Sequence, residues 1–102
     1  MARGPLMILC LAAILAAGFS RVGAAGDVEL GQYLAGECLG CHMADGSDHG
    51  IPSIIRLSEA DFVMALNAYR DGLRAHRVMQ MIAGRLSESE IAALAAYFGG
   101  LE

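Results

Sequence analysis

The chain has 102 residues, enough for one domain, and 56% of them are hydrophobic. Seven arginines face eleven acids, a formal net charge of −4, and there is no lysine. Beyond residue 25 the arginines Arg56, Arg70, Arg74, Arg77 and Arg85 are interleaved with Asp61, Asp71, Glu88 and Glu90. Neither nucleic acid nor an anionic membrane is therefore an expected partner, since both reward a basic patch.

Residues 6–19, LMILCLAAILAAGF, run without a charge behind Arg3 and ahead of the small residues VGAAG. A membrane span needs about 20 apolar residues, so this shorter run fits the core of a secretory signal peptide. Cleavage after Ala25 is expected, giving a signal over residues 1–25 and one domain over 26–102. Retention as an uncleaved membrane anchor is the rival; after cleavage no stable membrane insertion is expected. Leu9 is too large for the small residue that a lipid-modified Cys10 would need before it. Losing Arg3 and Arg21 leaves five arginines against eleven acids, a charge of −6. An exported chain of this size occupies an oxidising compartment and usually needs a disulfide, metal or cofactor to supplement its small core.

Val28, Leu30, Leu34 and Ala35 predict a first helix from Asp27 to about Leu39, which delivers its C-terminal end to GECLGCHMADG, residues 36–46. Cys38, Cys41 and His42 form a Cys-x-x-Cys-His motif. A thioredoxin-type redox pair would open a helix after a strand, whereas here the cysteines follow a helix. Zinc would need a fourth ligand, and only His49 is near. A disulfide would close too small a loop to constrain the unfolded chain much. Covalent haem explains all three residues: each thiol adds to one vinyl group, and the adjacent imidazole ligates the iron. One haem c on Cys38, Cys41 and His42 is the expected cofactor.

Residues 43–57, MADGSDHGIPSIIRL, read as a loop. Ser58 as N-cap with Asp61 three residues on predicts a second helix in the manner of a capping box. It would present Phe62, Ala65, Leu66 and Tyr69 on one face and end at Gly72, with Met64 as core filler. A short helix over roughly Arg77 to Gly84 follows, with His76 and His49 as solvated loop residues. Ser87 and Glu90 then make a capping box for the last helix, which carries Ile91, Leu94, Ala95 and Phe98 and stops at Gly99. No segment alternates with period two, so the expected fold is all-α.

The second axial position decides between carrier and catalyst. Met43 is adjacent to His42 and cannot cross to the other haem face. Met79 and Met81 lie about 200° apart on a helix, so only one can face the iron. Met79 shares its face with Ile82, Ala83 and Leu86, an apolar stripe suited to porphyrin, whereas Met81 shares its face with Arg85 and Glu88. Met79 is the expected ligand. No distal polar pair is visible on that face, which favours an electron carrier over a small-molecule-binding haem protein with a labile methionine.

GQYLAGECLGCH, GIPSI and VMQMIAGRLSESEIAALAAYF together resemble a small class I c-type cytochrome along the whole chain after the signal. Within that family they are most similar to the cytochrome subunit of flavocytochrome c sulfide dehydrogenase. The resemblance implies a single-haem fold whose first and last helices cross near the haem, with Gly31, Leu34 and Tyr97 at the crossing. It implies that the Pro52 carbonyl orients His42 through the other ring nitrogen. The family usually has glycine where this chain has Met43, and many flavocytochrome subunits carry two haem domains where this chain has one motif. The subgroup implies a periplasmic electron outlet for an FAD-containing sulfide dehydrogenase subunit. That partner is required because this chain has no dinucleotide-binding glycine pattern of its own. Arg70, Arg74 and Arg77 are the candidate docking cluster. The alternative is a freely diffusing carrier for other redox proteins, such as another dehydrogenase or an oxidase.

Overall fold

In the computed structural model residues 26–101 are described, so the expected signal peptide lies outside the described residues. Those residues form four α-helices and one 3-10 turn, without a strand among them: α1 (Val28–Leu34), the turn Ala35–Glu37, α2 (Glu59–Arg70), α3 (Arg77–Gly84) and α4 (Glu88–Gly99). None of these helices is long and apolar enough to cross a membrane.

Asp27 stands just outside α1 as its cap, its carboxylate accepting the amides of Glu29 and Leu30 at 3.0 and 3.1 Å. The α-helix ends at Leu34, short of the expected Leu39. The chain tightens into the 3-10 turn, with the Cys38 amide on the Ala35 carbonyl at 3.0 Å. Gly36 and Gly40 explain the early end, because glycine is a poor helix former and a terminal turn readily winds to 3-10 geometry.

The tightest packing is between α1 and α4. A Cβ on Gly31 would overlap the Ala93 carbonyl and lie 2.8 Å from Tyr97 Cβ, so only glycine lets the two backbones meet. Gly31 and Tyr97 thus stand at the crossing of the first and last helices, with Leu34 packed beside them on the core. Ser87 caps α4 with a complete box: its hydroxyl accepts the Glu90 amide at 3.1 Å and Glu90 accepts the Ser87 amide at 2.9 Å. This helix continues through Gly99, one residue further than expected, and is capped by Gly100.

Ser58 caps α2 by accepting the Asp61 amide at 3.1 Å, but the reciprocal half of the box is not among its described hydrogen bonds. Aspartate is one methylene shorter than the glutamate that closes the box on α4. Phe62 and Leu66 are buried, and the Phe62 ring stacks on Phe98 of α4 at 5.5 Å. Past Arg70 the chain leaves in a Schellman motif: Gly72 at φ +73° donates to the Tyr69 carbonyl at 3.2 Å, and Leu73 donates to the Ala68 carbonyl at 2.9 Å.

The core is thin. Of the eleven buried hydrophobic residues described, five are alanines, and the largest side chains wholly removed from solvent are Phe98, Ile91 and Leu94. Each of those three contributes about 1.5–3 kcal/mol by burial, modest support for a domain this small.

Candidate functional site

The 3-10 turn places Cys38 at the core's edge, half-buried, and leaves Cys41 exposed on the next turn. The His42 amide closes that turn on the Cys38 carbonyl at 2.9 Å. Burial pushes the Cys38 thiol up to about 11, with the neighbouring Glu37 carboxylate adding to the effect. The thiol is therefore neutral at ordinary pH. A nucleophilic or redox cysteine needs a depressed value, normally at a helix N-terminus; Cys38 follows a helix C-terminus, whose dipole opposes a thiolate.

His42 is half-buried and its Nδ1 lies 2.6 Å from the Pro52 carbonyl oxygen. A carbonyl only accepts, so Nδ1 carries the proton and donates, leaving the lone pair on Nε2. The intervening loop is shaped by local bonds. Gly46 donates to the Met43 carbonyl at 3.1 Å, Asp45 accepts the Ser47 hydroxyl at 2.6 Å and amide at 2.9 Å, and Asp48 accepts the Gly50 amide at 2.8 Å. The Ser47 bonds hold the Asp45 carboxyl below its usual range. Buried Ile55 ties the end of the loop to the core. Met43, at the family's glycine position, has a negative φ, so the side chain introduces no backbone strain.

On α3 the two methionines separate as the helical wheel predicts. Met79 is half-buried and packs on the same core as Cys38 and Leu39, whereas Met81 is 60% exposed. Met64 corrects the sequence reading: it is 64% exposed rather than core filler, because it lies on the face of α2 opposite Phe62 and Leu66. His76 lies outside the helix in solvent, as expected, and has a further role. Its Nδ1 accepts the Met79 amide at 3.2 Å as the N-cap of α3. His49 is exposed. In the arginine cluster, Arg70 approaches Asp71 at 3.9 Å and Arg74 lies over the Tyr69 ring at 4.9 Å, which leaves Arg77 the most available.

The donor set fits a covalently held haem. Two thiols three residues apart stand beside an imidazole whose Nδ1 is taken by the Pro52 carbonyl. Leu39, Ile54, Val63, Met79 and Leu86 are apolar side chains that pack, like Cys38, on the edge of the core and that the protein covers only in part. Asn67 Oδ1 is buried without a hydrogen-bond partner among the described residues, a polar capacity that no local sequence pattern signals.

Residues 28–102 match the family model described as Cytochrome c. The chain is 34% identical over 83 residues to cytochrome c-554(548) of Halomonas halodenitrificans, covering 76% of this chain and 100% of that relative. It is 38% identical over 72 residues to the cytochrome subunit of sulfide dehydrogenase of Chlorobaculum tepidum, covering 70% and 66% respectively. It is 34% identical over 77 residues to cytochrome c4 of Pseudomonas aeruginosa, covering 74% of this chain and only 38% of that protein.

Proposed function

The chain belongs to the cytochrome c family, with a covalently bound haem c and haem-based electron transfer, and on that premise we propose that it is the haem subunit receiving electrons from a sulfide-oxidising flavoprotein. The bound haem supplies one-electron chemistry between two iron oxidation states. Cys38 and Cys41 would hold it through thioether bonds, each S–H added across a vinyl group so that sulfur joins one carbon and hydrogen the other, with no external oxidant. His42, through Nε2, and Met79 would be the two side chains that hold its iron. The observation that supports this assignment is the 2.6 Å contact between His42 Nδ1 and the Pro52 carbonyl beside the paired thiols, which leaves Nε2 as the ring nitrogen available to iron. Residues 1–25 direct export to the periplasm and are removed, leaving 26–102 as the working domain.

Support for the flavoprotein partner is the 38% identity to the sulfide dehydrogenase cytochrome subunit. The full-length match to cytochrome c-554(548) favours a second reading, a freely diffusing carrier. Purification from the native periplasm separates them. Stoichiometric FAD in the purified complex, with haem reduction driven by sulfide, is expected. A lone haem protein that sulfide and the neighbouring flavoprotein cannot reduce leaves the free carrier. The ligand assignment has its own test. Met79→Ala should abolish the weak near-infrared band of oxidised methionine-ligated haem and lower the reduction potential, and Met81→Ala should spare both.

A further inference from the structure

We propose that His76 is a positioning residue for the axial methionine, holding the first turn of α3 so that the Met79 side chain stays directed at the iron; this rests on Met79 being the ligand. The first four amides of a helix have no intrahelical acceptor. In α3 the Gln80 amide is the first to find one, on the His76 carbonyl at 2.8 Å. The Met79 amide precedes it, and its partner is the His76 ring, Nδ1 accepting at 3.2 Å. His76 therefore binds the backbone of the ligand residue itself.

The ring is held in turn. It meets Tyr69 edge-on at 6.3 Å and 77°, the Arg74 guanidinium covers the Tyr69 ring at 4.9 Å, and Gln80 Nε2 donates to the Arg74 carbonyl at 3.1 Å. With the Schellman motif at Gly72, these contacts run from the end of α2 to the start of α3 without a break. His76 is exposed, so no core packing explains its identity. It replaces the Ser, Thr, Asp or Asn usual at this position while making the same bond. An uncapped first turn frays, and fraying reaches Met79 because its amide is the one that loses its partner.

The test uses oxidised haem-loaded protein, with imidazole as the competing ligand and the near-infrared methionine band as the readout. His76→Ala should let imidazole displace Met79 at roughly fivefold lower concentration and accelerate Met79 amide hydrogen exchange by a similar factor. His76→Asn, which restores a capping acceptor, should return both towards wild type. If His76→Ala matches wild type in both readouts, or His76→Asn behaves like His76→Ala, the positioning role is overturned even where Met79→Ala loses the band. If Met79→Ala keeps the band, the ligand assignment itself fails and takes this role with it.

Discussion

The helical frame and the two segments that carry the site are held together by different physics. Where α1 crosses α4, apolar burial and backbone contact through Gly31 dominate, and α2 joins them through Phe62 stacked on Phe98. In the loop from Met43 to Leu57 and the link from Asp71 to His76, short-range hydrogen bonds dominate. The carboxylates of Asp45 and Asp48, the Pro52 carbonyl and the His76 ring are all partners, and most of these bonds are exposed. Exposed hydrogen bonds each contribute little net stability, because water competes for the same groups. The frame therefore supplies most of the protein's own stability, and the site segments depend on the haem they bind.

Removing the haem tests that dependence and should have the largest effect. A Cys38→Ser, Cys41→Ser double variant, expressed with a haem-ligation system, should lack the added mass of covalent haem and lose most of its helical circular dichroism. The thin alanine-rich core cannot order the site loops alone. A haem-free chain that still melts cooperatively would show that the frame stands without its cofactor.

Phe98→Ala strikes the frame instead. Phe98 is wholly buried and packs against both Phe62 and Tyr97, so truncation should cost about 3–5 kcal/mol, a large share of the roughly 5–15 kcal/mol that stabilises a typical domain. The denaturant midpoint of the haem-loaded variant measures it. A loss below about 1 kcal/mol would mean that the haem, not Phe98, organises this part of the core.

Gly72→Ala tests the link between α2 and α3. At φ +73° a Cβ costs about 1 kcal/mol, which for a domain of this size lowers the melting temperature by roughly 4–8 °C. Haem content should not change. An unaltered melting temperature would show that the link relaxes freely, and that the contacts from Tyr69 to Gln80 do not fix the start of α3.

How much was readable beforehand follows the same division. Frame elements announce themselves through local pattern: Ser87 with Glu90, the spacing of Ile91, Leu94 and Phe98, and Gly72 after α2 all signal in sequence what they do in space. The Cys-x-x-Cys-His motif is equally local. The contact of His42 with Pro52 joins residues ten apart across a loop, so it entered through family resemblance rather than spacing. His76 escaped because histidine is not among the usual capping residues, although its place just before the helix at Arg77 was the available clue. Met64 is exposed where its neighbours suggest core, because Val63 and Ala65 do not reveal which way the helix turns; the Phe62 and Leu66 stripe does. The 3-10 turn has a local signal in Gly36 and Gly40, whereas the burial of Asn67 Oδ1 without a partner among the described residues arises from packing, which no short window of sequence contains.

The smallest expected effect isolates the capping box of α4, a frame element held by exposed hydrogen bonds like those of the site. Glu90 accepts the Ser87 amide at 2.9 Å, and this bond, with that to the Ser87 side chain, holds its carboxyl below the ordinary value. A depressed folded-state pKa means that the carboxylate's contribution is fully present above the unfolded-state value of about 4.3 and is lost as pH falls through the lower folded-state value. Glu90→Gln keeps an acceptor for the Ser87 amide but cannot ionise, and it gives up the attraction between a first-turn carboxylate and the helix dipole. Wild type should therefore be slightly more stable than Glu90→Gln at pH 6, and the gap between their urea midpoints should close towards pH 3. Holding the haem in place in both proteins keeps the site segments out of the difference. A gap that stays constant with pH would mean that the charge on Glu90 contributes nothing, and that its bond to Ser87 serves only as neutral hydrogen-bond geometry.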